Sequence, residues 1–86
     1  MKQTLIGSFN KNSMEIVKVY IQTWKARDYV DIRVWYLEDP ASPGAEKPSH
    51  KGLTLSVELL PKLRQVLQKA EAAIQEGPGE ERGDVL

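Results

Sequence analysis

Residues 16–37 read Ile16-Val17-Lys18-Val19-Tyr20-Ile21-Gln22-Thr23-Trp24-Lys25-Ala26-Arg27-Asp28-Tyr29-Val30-Asp31-Ile32-Arg33-Val34-Trp35-Tyr36-Leu37. From Ile16 to Trp24, Val17, Val19 and Ile21 alternate with Lys18, Tyr20, Gln22 and Trp24. A period of two places one set of side chains against a core and the other outward, as in a half-buried strand. Tyr29 to Leu37 repeats the pattern, with Val30, Ile32 and Val34 set against Asp31, Arg33 and Trp35. β-Branched and aromatic side chains of this kind fit a pleated surface. Lys25-Ala26-Arg27-Asp28 between them is short and polar, so the two segments pair most simply as an antiparallel hairpin with a tight connection.

Outward from the hairpin, Leu5 to Phe9 reads as an earlier short strand, set off by Asn10-Lys11-Asn12-Ser13, whose side chains favour turns by bonding nearby backbone. On the other side, Glu38 to Ser49 contains Pro40, Pro43, Gly44 and Pro48, a segment too broken for a helix or a central strand. Lys51-Gly52-Leu53-Thr54-Leu55 then reads as a returning strand. An antiparallel sheet of three or four strands results, and its apolar face needs a cover. From Ser56 onward, Leu59, Leu60, Leu63, Val66, Leu67, Ala70, Ala73 and Ile74 recur at helical spacing and supply one. Ser56 is the expected N-cap, Gly77-Pro78 the expected stop, and Pro61 predicts a distorted first turn with the regular helix starting near Leu60. The fold class is therefore α+β: a four-stranded antiparallel sheet followed by one amphipathic helix.

The chain has 86 residues, 12 Lys plus Arg against 12 Asp plus Glu, and no cysteine. That length supports one small domain, placed at 1–76, whose core is marginal alone and gains from a second subunit. Leu60, Leu63, Leu67, Ala70 and Ile74 are spaced as a helix–helix seam and are the expected homodimer contacts. Residues 77–86 hold Glu80, Glu81 and Asp84 with few apolar residues, and read as a disordered acidic tail. Without cysteine there is no disulfide framework or thiolate chemistry, which fits a cytoplasmic protein. No apolar run approaches the roughly 18 residues that span a bilayer, so no membrane partner is expected.

Catalysis needs a clustered acid, base or nucleophile. The single histidine, His50, has no second ligand at metal-binding spacing, and there is no phosphate-binding glycine loop or nucleophile motif. Asp31 lies among Lys and Arg, where an ion pair is its expected role. An enzyme is thus not expected, nor any cofactor or metal. The outward hairpin face instead interleaves Lys18, Tyr20, Trp24, Lys25, Arg27, Arg33 and Trp35. Flat rings give unpaired bases a stacking platform while Lys and Arg track phosphates, a combination suited to single strands because a duplex hides its bases. The competing reading treats Tyr20, Trp24 and Trp35 as partly buried cross-strand or dimer contacts, and the alternative function is a protein–protein interaction module using this face or the helix stripe.

Two stretches carry a family resemblance. Trp24-Lys25-Ala26-Arg27, leading through Tyr29-Val30-Asp31-Ile32-Arg33 to Trp35-Tyr36, resembles the transcriptional coactivator family called positive cofactor four. Lys47-Pro48-Ser49-His50-Lys51-Gly52-Leu53-Thr54-Leu55 is similar to that family's Lys-Pro-Gly-Arg-Lys-Gly-Ile-Ser-Leu element before its helix. The resemblance spans roughly residues 15–70 and implies a curved four-stranded sheet, a dimer through the helices, and grooves for single-stranded DNA or RNA. It implies stacking by Trp24 and Tyr36 and phosphate contacts from Lys25, Arg27 and Arg33, with Lys47, His50 and Lys51 as further contacts. Strict alternation turns Trp35 outward and Tyr36 inward, so either a bulge shifts the register or Trp35 takes the stacking role. Ala26 replaces the family's usual turn glycine, and His50 its frequent arginine, which exchanges a fixed charge for a titratable one. The near-minimal length looks like a prokaryotic or phage member, nucleoid-associated and acting in transcription or in DNA maintenance, with transcription or replication proteins as further partners.

Overall fold

In the computed structural model, which describes residues 1–42 and 44–76, a four-stranded antiparallel sheet runs in the order β1-β2-β3-β4. Its strands are β1 (Lys2–Asn10), β2 (Glu15–Trp24), β3 (Arg27–Tyr36) and β4 (Lys47–Ser56). The sheet is curved and unclosed, and one helix, α1 (Leu60–Glu76), follows it. The expected hairpin is the centre of the sheet. Pairing runs without a register shift from Glu15 opposite Tyr36 to Trp24 opposite Arg27. The connection is tighter than four residues: only Lys25 and Ala26 lie in it, both left-handed, at φ 51° and 63°. Two successive positive φ values give the type I′ turn whose twist matches the flanking strands, and a Cβ there costs roughly 1 kcal/mol or more per residue. Ala26→Gly is therefore expected to raise stability by about 0.5–1 kcal/mol in urea unfolding, the relief being offset partly by the freer unfolded chain.

Both outer strands are longer than the sequence suggested. β1 continues to Lys2 on one side and Asn10 on the other, with a bulge at Ile6 between the pairs Leu5–Tyr20 and Gly7–Val19. The turn after it is held by Asn12, whose Oδ1 accepts the Met14 and Glu15 N–H groups, each at 2.9 Å. β4 starts at Lys47, so Lys47–Ser49, expected to be loop, is strand. Pro48 is tolerated because β4 is an edge strand, where a missing N–H leaves no partner unpaired. The register jumps from Arg33–Gly52 to Trp35–Pro48, so Ser49, His50 and Lys51 face the single residue Val34 as a bulge.

Register makes one face apolar: Val17, Val19 and Ile21 lie opposite Val34, Ile32 and Val30, with Leu53 and Leu55 beside them on β4. The helix was expected to cover this face, and it does not. Val30, 2% exposed, is the one buried hydrophobic residue among those described. Only the first two turns of α1, through Leu60, Leu63 and Leu67, approach the sheet, across an open cleft of about 360 Å³. The 17-residue helix, about 25 Å long, has no buried residue, and beyond the cleft Ile74 is 69% exposed. Ser56 is extended and makes no side-chain cap; a 3₁₀ turn at Val57–Leu59 precedes the helix, the Leu60 N–H bonds the Val57 carbonyl, and Pro61 falls within the first helical residues. The distorted start expected from Pro61 is present, since proline there forfeits no intrahelical bond. The helix stop at Gly77-Pro78 and the acidic tail lie outside the described residues.

Candidate nucleic-acid interface

The face opposite the apolar one holds, by register, Lys18, Tyr20, Gln22 and Trp24 of β2 opposite Arg33, Asp31, Tyr29 and Arg27 of β3, with Trp35 beyond them. β2 and β3 pair without a bulge along their full length, so alternation holds. Trp35 shares this face, while Tyr36 lies across from Glu15 and Lys47 on the other.

The face divides into two ends. At the hairpin tip Trp24 is 51% exposed and the Lys25 ammonium stands 4.7 Å from its ring centroid. Trp24, Gln22, Tyr29, Thr54 and Met1 line an open cleft of about 320 Å³. Among the described residues Lys25 and Arg27 have no carboxylate within ion-pair distance, although Asp28 is near in sequence; Asp28 accepts the Thr23 hydroxyl at 2.7 Å instead. Exposed cation and exposed ring are thus adjacent at the tip.

At the far end the same residue types are packed together. Tyr20 and Trp35 stack with centroids 5.8 Å apart and planes at 29°. The Lys18 ammonium lies 4.2 Å from the Trp35 ring centroid and pairs with Glu46 Oε1 at 3.2 Å. The Trp35 Nε1 is buried and finds no acceptor among the described residues.

Between the ends Asp31 and Arg33 form a polar clamp. Arg33 donates through Nε at 3.1 Å and Nη2 at 2.8 Å to the two Asp31 oxygens, and through Nη1 at 3.1 Å to the Ser49 carbonyl. Thr54 donates to Asp31 Oδ1 at 2.7 Å, and Ser49 donates to the Val34 carbonyl at 2.7 Å. Asp31 is only 4% exposed although it sits on the outward face, because Arg33 and Thr54 close over it. Burial pushes its carboxyl up, but the Arg33 and Thr54 hydrogen bonds and the guanidinium charge outweigh burial and hold it below the usual range. The ion pair expected of Asp31 is present, and it fastens β4 to β3.

The remaining candidates are spread. Lys47 pairs with Glu38 at 2.9 Å, which raises the Lys47 ammonium above its ordinary value. Lys51 is exposed and reaches Glu15 at 3.6 Å, and His50 is exposed in the bulge between them. Glu15 itself is held down to about 2 by hydrogen bonds from Lys11 and Asn12. Gln22, Tyr29, Thr54 and Glu46 were not singled out from the sequence. Parity along β3 and β2 was the available signal for Tyr29 and Gln22, whereas Glu46 meets a lysine 28 positions away and gave none.

Among the described residues no His, Cys, Asp or Glu cluster could hold a metal ion, and no helix is long and apolar enough to cross a membrane. No curated protein sequence matches the chain. Solved structures do. The PC4 homologue BPSL1147 of Burkholderia pseudomallei K96243 superposes with TM-scores of 0.71 and 0.73 in its tetragonal and orthorhombic crystal forms. The identities are 23% and 22%, with 81% and 88% of this chain and 98% and 95% of that chain covered. The bacteriophage T5 homologue of the eukaryotic coactivator PC4, implicated in recombination-dependent DNA replication, gives a TM-score of 0.54 at 19% identity, covering 83% of each chain. These likenesses share the four-strand-and-helix fold. The family model for Transcriptional Coactivator p15 (PC4) matches residues 9–66, which include the hairpin, the Asp31–Arg33 clamp and the β4 bulge. By that match the chain belongs to the PC4 family.

Proposed function

We propose that this protein is a homodimeric, largely sequence-independent binder of single-stranded DNA, with RNA an alternative strand, and that it carries out no covalent chemistry. Family membership supports the nucleic-acid-binding role. The single observation that carries the single-strand reading is the hairpin tip, where an exposed Trp24 ring, Lys25 above it and Arg27, without a carboxylate partner among the described residues, lie on one face beside an open cleft. A ring exposed to this extent loses little on meeting a base, and stacking is worth about 1–3 kcal/mol per base. Lys25 and Arg27 take the phosphates, with Lys51 and His50 further along the strand path. Arg33, tied through Nε, Nη1 and Nη2 to Asp31 and the Ser49 carbonyl, positions the β4 side of the site.

Dimerisation is supported by the apolar stripe of α1 that the single chain leaves exposed, with Leu60 at 37%, Leu67 at 55% and Ile74 at 69%, in a domain small enough that its core gains from a second subunit. A second copy laying its Leu60, Leu63, Leu67, Ala70 and Ile74 stripe against this one accounts for the uncovered face.

The test is fluorescence anisotropy with labelled single-stranded and duplex oligonucleotides at several salt concentrations. Single strands are expected to bind more tightly, with log affinity falling by about 0.7 per contacted phosphate per decade of salt. Trp24→Ala, on the tip and outside the core, should weaken single-strand binding by about 1–3 kcal/mol with the melting temperature unchanged. Absence of single-strand binding at low salt overturns the reading in favour of a protein-interaction module.

A further inference from the structure

Glu46 stands immediately before β4 and reaches back over the far end of the aromatic face. Its Oε1 accepts the Lys18 ammonium at 3.2 Å and its Oε2 accepts the Gly44 N–H at 2.7 Å. The Lys18 and Glu46 side chains are only 16% and 12% exposed. Lys18 lies over Trp35, Trp35 stacks on Tyr20, and the Trp35 Nε1 is a buried donor with no acceptor among the described residues. The Gly44 N–H, first, and then Lys18 hold the Glu46 carboxyl below its ordinary value, so it is an anion at neutral pH.

A cation beside two stacked rings is the arrangement that accepts a phosphate and its neighbouring base. Here a carboxylate already occupies the cation. Carboxylate and phosphodiester each bring one negative charge and oxygen acceptors, so one exchanges for the other at Lys18 without a net change of charge in the site. We infer that Glu46 is a built-in phosphate surrogate that occupies the Lys18–Tyr20–Trp35 end of the face, and that a nucleic-acid phosphate engages this second subsite only by displacing the Glu46 side chain from Lys18.

The inference rests on the single-strand reading above and adds a consequence for it. In the free protein the hairpin tip is the primary contact, and the Lys18 end adds nothing until Glu46 moves. The intramolecular competitor weakens binding and lowers its salt dependence, because while Glu46 holds Lys18 that lysine neutralises no phosphate and releases no condensed counterion from the strand.

The experiment is a salt series of anisotropy titrations with a labelled oligothymidylate, for the wild type, Glu46→Gln, Lys18→Gln and the double variant. Glutamine keeps an acceptor for the Gly44 N–H while removing the charge. Glu46→Gln is expected to bind about 3- to 10-fold more tightly at low salt, with a salt slope steeper by about 0.7, one additional phosphate. Lys18→Gln alone should not raise affinity, and in the double variant the gain should disappear. Glu38→Gln, which removes the same charge from an exposed pair with Lys47, is the control and should not reproduce a Lys18-dependent gain. If the wild type binds and Glu46→Gln matches it in affinity and slope, or gains equally without Lys18, the surrogate role is overturned and the single-strand reading survives. If none of the proteins binds at low salt, the single-strand reading fails and takes this inference with it.

Discussion

Gly52→Ala is expected to destabilise the protein by at least about 3 kcal/mol, enough to unfold a domain of this size in mild urea. Gly52 lies opposite Arg33 where β4 leaves its bulge, at φ 156°. A Cβ there would overlap the Ile32 carbonyl oxygen and come within 2.7 Å of the Arg33 Cα. Both obstacles are backbone of the central strand, so no side-chain rotation relieves them, and β4 must move away from β3. That movement also pulls Ser49 and Thr54 from Arg33 and Asp31, leaving a buried carboxylate with fewer donors. The readout is the urea midpoint, with Gly7→Ala as a control, because a Cβ at Gly7 meets nothing within 4 Å. A loss below about 1 kcal/mol at Gly52 would mean that β4 is not held at this separation.

The second large effect is expected at the helix stripe. Leu67→Asp should convert the proposed dimer to monomer in sedimentation velocity and lower the melting temperature in a concentration-dependent way. Leu67 is 55% exposed in the single chain, so an aspartate there costs little within one protomer. In a helix–helix interface the same residue loses about 1.5–3 kcal/mol of burial and places an unpaired carboxylate among apolar groups, once from each subunit. Leu67 also borders the cleft against its own sheet, so Ile74→Asp is the separating variant. Ile74 is 69% exposed and lies far along α1 from the cleft, where only a partner would notice the charge. Dissociation by both variants supports self-association through this stripe, whereas a monomeric wild type, or a dimer indifferent to both, assigns the apolar face to another partner.

The hairpin, its apolar and polar sides and the helix start were legible because each follows from neighbours in sequence. Alternation over Ile16–Trp24 and Tyr29–Leu37 assigns faces without knowledge of the rest of the chain, and Pro61 marks the helix start by the hydrogen bond it cannot make. The same alternation left Trp35 and Tyr36 in conflict with the family pattern, and only the unbroken β2–β3 register placed Trp35 beside Tyr20 and Lys18. Lys47–Ser49 looked like loop because proline argues against strand, yet an edge position removes the objection.

By itself the sequence determined the strand and helix segments, the aromatic and basic hairpin face, and the motifs of the PC4 family, since local periodicity and residue chemistry suffice for each. The tertiary structure alone decided which of those charges are free. Lys18 is held by Glu46 and Arg33 by Asp31 and Ser49, while Lys25 and Arg27, at the tip beside Trp24, have no carboxylate partner among the described residues. It also decided that α1 leaves its own sheet uncovered, because whether a stripe meets a surface depends on the direction in which the chain leaves β4, and no spacing of apolar residues encodes that direction.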